Sequence, residues 1–369
     1  MHKVTRAAPA SSEPAGPHTE TSVLKPSPAK KGLKSLIRVA VSVGLLAALV
    51  FLFRDRLPQA VGYIRHLQPV PLLLATLWYG LFVLVSAWRW QVLLTARGLR
   101  FSTWYLTRVF VLGLFFCKLL PTSIGGDVMR IAYTAPKGRG VDAFSATFLD
   151  RLIGFVSLSF LAVASALVLF ATQGLWGQNL ALRKNHLGAV TASLRGDLMF
   201  ALLLLILVLL VAMTLMLFND RAHRLVSLSL GRVRFAGVGT LLDRAYSAVK
   251  QFRNHYGPLG VSFTLGIGVQ TCLSFSWYHS AQAVGAAVPL VYYLIFIPLL
   301  NIVVNVPSIG GLGVREASFV ALFTQSWVSG ALTDSRAFAI AVVFLALDLV
   351  FALVGGLLFA FMRRPSGTA

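Results

Sequence analysis

Two short stretches of the chain repeat one polar pattern at the ends of apolar runs. Ser123-Ile124-Gly125-Gly126 is followed by Arg130, and Ser308-Ile309-Gly310-Gly311 is followed at the same distance by Arg315. A proline precedes each, Pro121 and Pro307. A glycine pair permits positive φ and close backbone approach. A helix restarting after it presents unpaired N–H groups and the positive end of its dipole, which favour an anion. Arg130 and Arg315, within the next two turns, add donors suited to a bidentate phosphate contact. The chemistry indicated is anion binding; the plainer use of the glycines is a tight turn or close helix packing.

Other ionisable residues fall inside apolar runs, where charge is costly and usually functional. Asp348 sits in Ala346-Leu347-Asp348-Leu349-Val350 with no basic neighbour in sequence, so its partner must come from another helix. Arg89, Arg130 and Arg315 are the candidates, and the pair serves either structure or proton and substrate coupling. Asp127 suits an N-cap after Gly126, or a counter-charge. Glu316 beside Arg315 suits a local counter-charge or a protonation site. Asp150-Arg151, at the start of a run, reads as an interfacial structural pair. Asn301 and Asn305, one turn apart before Pro307, can satisfy freed backbone groups or meet a headgroup. His279, alone on its run, reads as a packing or hydrogen-bonding residue. No Walker pattern, metal-spaced Cys or His pair, or Gly-x-Ser-x-Gly elbow is present in the sequence. The expectation is therefore no catalytic residue, no metal and no cofactor.

The elements that must position these residues are membrane helices. Of 369 residues, 57% are hydrophobic and 12% are charged, and the mean hydropathy is +0.78. Soluble domains carry roughly a quarter of their residues charged, so an ordinary soluble enzyme is excluded. Cys117 and Cys272 lie inside apolar runs, which excludes a disulfide scaffold. Residues 1–35 form a Pro-, Ser- and Lys-rich polar tail, expected to be disordered. A bilayer-spanning helix needs about 20 apolar residues. Such runs occur near 36–53, 70–94, 145–172, 198–218, 259–283 and 338–362, and two interrupted ones near 104–120 and 290–306. The expected fold is an all-α integral membrane protein with six full spans and two Gly-Gly-broken elements.

The formal net charge of +21 is placed by topology. With the N-terminal tail inside, loops and tails on the cytoplasmic side collect twenty-one Lys and Arg against seven on the other. That is the bias expected of cytoplasmic loops, and it makes a nucleic-acid partner unnecessary. Both termini are then cytoplasmic, including the tail 363–369 with its two arginines. A shift of 185 residues superposes the two motifs and their flanking spans. It defines repeat A (70–172) and repeat B (259–362), joined by the span and basic loop at 198–257. The topology makes the copies inverted, with the broken elements expected to be re-entrant; full crossings would give the same parity. Inverted repeats with interrupted helices point to a transporter site near the midplane.

The ordered set of Arg89-Trp90, Pro121 through Arg130, Asp150-Arg151 and Pro307 through Glu316 resembles the lysylphosphatidylglycerol synthase transmembrane-domain family, the flippase-like domain proteins. The resemblance spans about residues 36–362. It implies a lipid-headgroup site at Ser123, Gly125, Gly126, Arg130, Ser308, Gly310, Gly311 and Arg315. Asp127, Glu316 and Asp348 would supply counter-charge or proton coupling, supported by Arg89, Asp150, Arg151, Asn301 and Asn305. The implied partner is an anionic phospholipid or a polyprenyl- or hopanoid-type lipid in a cell inner membrane, with a glycosyltransferase or lipid-synthesis enzyme as a further partner. The chain ends seven residues after Met362, without the aminoacyl-transfer domain of the synthases. The expectation is thus a flippase-like protein rather than an enzyme, or a non-transporting partner that presents lipid to one.

Overall fold

The computed structural model describes residues 57–119, 125–173, 179–181, 193–218, 256–303 and 313–361, with positions 250 and 252. The polar tail, the first apolar run and most of the basic loop lie outside these residues. So do Ser123, Ser308, Gly310, Gly311 and Asn305.

Ten helices account for nearly all of the described chain. A short helix α1 (Leu57–Arg65) precedes the first repeat. That repeat comprises α2 (Pro69–Ala96), α3 (Thr103–Leu119), α4 (Gly125–Thr134) and α5 (Gly140–Gln173). Then come strands β1 (Asn179–Ala181) and β2 (Ser193–Arg195) and helix α6 (Gly196–Phe218). The second repeat comprises α7 (Tyr256–Ala283), α8 (Leu290–Val303), α9 (Val314–Phe323) and α10 (Asp334–Phe361). Pro69–Ala96, Gly140–Gln173, Tyr256–Ala283 and Asp334–Phe359 are long and apolar enough to cross a bilayer. Shorter apolar segments, Phe200–Ala212 and Leu290–Ile302, accompany them. Among the described residues the one departure from an all-α chain is the antiparallel β1–β2 ribbon.

The two repeats match in length and in how their helices stop. Helices α2 and α7 each have 28 residues. Gly98 (φ 70°) and Gly285 (φ 76°) follow their ends. Leu99 N–H bonds Leu94 C=O and Ala286 N–H bonds Ala281 C=O, each at 2.9 Å. These are the six-to-one bonds of a Schellman motif, which needs a left-handed residue that only glycine adopts without strain. The matching caps fix the register of the first helices at 187 residues, two more than the motif spacing of 185. In that register Trp90 coincides with Trp277, and Tyr79 with Gly266.

Helices α2 and α7 run antiparallel along their whole length. Gln68 N–H bonds Ala283 C=O at 2.9 Å, Ser276 Oγ donates to Ala75 C=O, and Trp78 stacks on Phe275. The α3–α4 hairpin follows α2, and the α8–α9 hairpin follows α7. They therefore enter the molecule from opposite ends. In the first, Tyr105 near the start of α3 donates to Tyr133 C=O at the end of α4. In the second, Tyr293 near the start of α8 packs on Phe323 at the end of α9. Each hairpin thus begins and finishes at the same end.

Between helices in lipid, close packing replaces the hydrophobic drive. At Gly126 an added Cβ would lie 2.5 Å from Cys117 Sγ and 2.6 Å from the Gly113 carbonyl oxygen. Gly126→Ala is therefore expected to destabilise the chain by about 1–3 kcal/mol. Cys117→Ala in the same chain should recover only part of that, because the Gly113 backbone cannot move aside. Thermal unfolding in detergent checks both; full recovery would contradict the backbone contact.

Candidate functional site

Sorting basic residues into the two sets of loops leaves five unassigned: Arg89, Lys118, Arg130, Arg151 and Arg315. The fold gathers all five, with four carboxylates, into two neighbouring clusters between the helices.

The first cluster belongs to repeat A. Asp150, on α5 and 1% exposed, accepts from Arg89 Nε at 2.7 Å and from Arg130 Nη2 at 2.9 Å. Asp127, in the first turn of α4, pairs with Arg151 and lies 3.5 Å from Arg130. The Arg130 guanidinium rests on the Trp90 ring, 4.2 Å from its centroid, and its Nε is buried without a hydrogen-bond partner. Cation–π contact of this kind gains strength when desolvated.

The second cluster centres on Asp348, 15th of the 28 residues of α10. Its Oδ2 accepts from Arg315 Nη1 and from Lys118 Nζ, each at 2.7 Å. Its Oδ1 accepts from the Tyr79 hydroxyl at 2.5 Å. Arg315 also reaches Glu316 Oε1 through Nε and Nη2, both at 3.2 Å. Glu316 Oε2 in turn accepts the Gly313 N–H at 2.7 Å, the return half of a capping box. Arg315 lies over Phe344, whose ring stacks at 3.8 Å on Trp277. Each motif arginine thus sits on aromatic packing that includes the tryptophan of its own repeat.

Asp348 is where the two hairpins meet. Lys118 lies in the last turn of α3, and Arg315 in the first turn of α9. At 1.5 Å per residue, Asp348 is about 20 Å from either end of α10. The preceding residue, Cys117, packs against Gly126 at the head of α4. Consecutive residues at the tip of the first hairpin therefore join the two clusters.

The geometry places each of the expected residues that lie in the described chain. Arg130 and Arg315 do not present open guanidinium forks, because both are buried and bonded to carboxylates. Asp150 is buried in protein: it lies on α5, which begins at Gly140, and reaches Arg89 and Arg130. Asp127 spends its carboxylate on Arg151 and Arg130. Of the three candidate partners for Asp348, Arg315 is the one that bonds it. Asn301 accepts a structural role, donating to Gln270 Oε1 at 3.1 Å, and His279 bonds Gln282 at 2.8 Å. Gly125 and Gly126 are buried at the head of α4. Lys118 and Tyr79 were not among the expected site residues. The signal for Lys118 was available: it is the lysine that no loop claims. Among the described residues, no group of three His, Cys, Asp or Glu is placed to hold a metal.

A family model described as Lysylphosphatidylglycerol synthase TM region matches residues 35–356. No curated protein and no solved structure matches the chain.

Proposed function

The chain belongs to the lysylphosphatidylglycerol synthase transmembrane-region family, and from that premise we propose that it binds a lipid by its anionic headgroup and carries that headgroup between leaflets. The lipid is an anionic phospholipid or an isoprenoid-linked phosphate, in the inner membrane, and both termini are cytoplasmic. The chain acts as a carrier and not as a transferase. The observation that supports this reading is the meeting of two oppositely directed hairpins on one carboxylate midway along α10.

In this reading α3–α4 and α8–α9 are re-entrant, one from each leaflet, with tips at the midplane. A headgroup cannot cross hydrocarbon alone, because a charge at that depth is heavily penalised. Buried cations from both hairpins, each with an internal carboxylate partner, give the headgroup an electrostatic equivalent of water along its route. Non-helical backbone at such depth is tolerated where it faces protein or a wet cavity. Rocking of one repeat against the other opens the site to each side in turn.

The test is headgroup accessibility in proteoliposomes carrying fluorescent phosphatidylglycerol or a fluorescent polyprenyl phosphate. Wild type should move at least one of them. The Arg130→Ala, Arg315→Ala double variant, at matched reconstitution, should fall to the rate of protein-free vesicles. Movement unchanged by the double substitution would remove the arginines from the route. The tight pairing of both arginines with carboxylates favours a second reading, a partner that holds lipid for a glycosyltransferase or lipid-synthesis enzyme without moving it. Lipid binding with no movement of any probe would select that reading.

A further inference from the structure

Three helices besides its own meet the Asp348 carboxylate. Tyr79 of α2 donates to one oxygen, while Lys118 of α3 and Arg315 of α9 share the other. One oxygen bound by a lysine ammonium and an arginine N–H is also how such side chains hold a phosphate oxygen. Among the described residues this cluster has two cations, Lys118 and Arg315, against two carboxylates, Asp348 and Glu316. It has no surplus charge for an added anion. An incoming phosphate must therefore take over a carboxylate's contacts rather than join them.

We propose that Asp348 is a built-in placeholder, occupying an anion seat formed by Lys118 and Arg315 until a phosphate-bearing headgroup displaces it. This rests on the carrier reading and adds two roles to it: Lys118 as a phosphate ligand and Asp348 as the competitor. Glu316 is the carboxylate less suited to leave, since it also caps α9 through Gly313. The Tyr79 hydroxyl, on the other oxygen, helps to hold Asp348 in the seat. The Lys118 side chain is 14% exposed against 5% for Asp348 and 9% for Arg315, which makes the lysine the edge by which the headgroup enters.

The consequence runs against the usual effect of deleting a site residue. A seat occupied most of the time by its own carboxylate lowers apparent affinity by the fraction that is vacant. Neutralising the carboxylate removes that competition. The full chain, purified in detergent, is titrated calorimetrically with short-chain phosphatidylglycerol, a short polyprenyl monophosphate and inorganic phosphate. Asp348→Asn is expected to bind one of the lipids about tenfold more tightly than wild type. Lys118→Met added to it should cancel the gain. Tyr79→Phe, which loosens the grip on Asp348 without uncovering a buried charge, should shift affinity the same way by a smaller factor. It decides the matter if Asp348→Asn does not elute as a folded monodisperse species.

Affinity unchanged or weakened in every folded variant overturns the placeholder. Tightening confined to inorganic phosphate overturns the lipid as its occupant. Absence of binding by any probe to any variant overturns the carrier reading beneath it.

Discussion

Asp150→Ala is expected to lower the stability of the folded chain by about 3–5 kcal/mol, the range found when one partner of a buried ion pair is removed. The carboxylate is 1% exposed and answers two guanidinium groups, Arg89 and Arg130. Removing it leaves both cations facing one another inside the helix bundle. Arg89 cannot retreat, because its guanidinium is wedged between α5 and α7: a Cβ at Gly154 would lie 3.2 Å from Arg89 Nη1, and one at Gly266 would lie 3.5 Å from it. Replacing the whole triad (Arg89→Leu, Arg130→Met, Asp150→Leu) should restore most of the loss, since well-packed apolar groups often match a buried ion pair in stability. In the carrier reading, that restored chain no longer moves lipid. Thermal unfolding in detergent measures the first effect, and proteoliposome assays the second. An Asp150→Ala chain as stable as wild type would mean that the triad does not hold the first repeat together.

Gly355→Val should be as damaging, for a steric reason. Its Cβ would collide with the Val111 carbonyl oxygen and lie 2.8 Å from the carbonyl carbon and 3.1 Å from Leu112 N. These are backbone atoms of α3 and cannot swing aside, so α3 and α10 must separate. The expected loss exceeds the about 1–3 kcal/mol typical of an overpacked core. Gly355 lies two turns beyond Asp348, and Val111 two turns before Lys118. Separation at one contact therefore lengthens the ion pair at the other. Gly356 supplies the control, since its Cβ would meet the Phe115 ring at 2.8 Å, a side chain able to rotate. Thermal unfolding of both valine variants should rank Gly355→Val as the less stable; the reverse order would show that the α3–α10 contact is not what limits the fold.

Much of the architecture was readable from particular residues. The Gly-Gly motifs marked two copies, and the apolar runs marked the long helices α2, α5, α7 and α10. Gly98 and Gly285 stood where the matching helices end. The charge clusters were only half readable. Arg89, Asp150 and Asp348 announced themselves as ions in apolar runs, and Arg130 and Arg315 by their place after the glycine pairs, but their pairing is set by which helices cross. Nothing local links Asp348 to Lys118, 230 positions earlier in the sequence. The partners of Asp150 were not readable, because Arg89 and Arg130 come from other helices. Lys118 was passed over because it ends an apolar stretch, where a lysine ordinarily reaches for water.

Tyr79 and Gly266 hold the same position in two helices of equal length, and the mismatch has a kinetic meaning. Gly266 lets α7 press against Ser157 of α5, where an added side chain would not fit. Tyr79 instead fills the corresponding space beside α10 and bonds Asp348. Two identical halves would make the inward-waiting and outward-waiting forms equal in energy. In the carrier reading, a small residue on one side and an aromatic one on the other helps to remove that degeneracy, and the empty protein is expected to rest facing one compartment. In a carrier without an energy supply such a preference cannot change where lipid accumulates at equilibrium. In that reading it would set which leaflet is served first, and how long a lipid in the other leaflet waits for the site to turn.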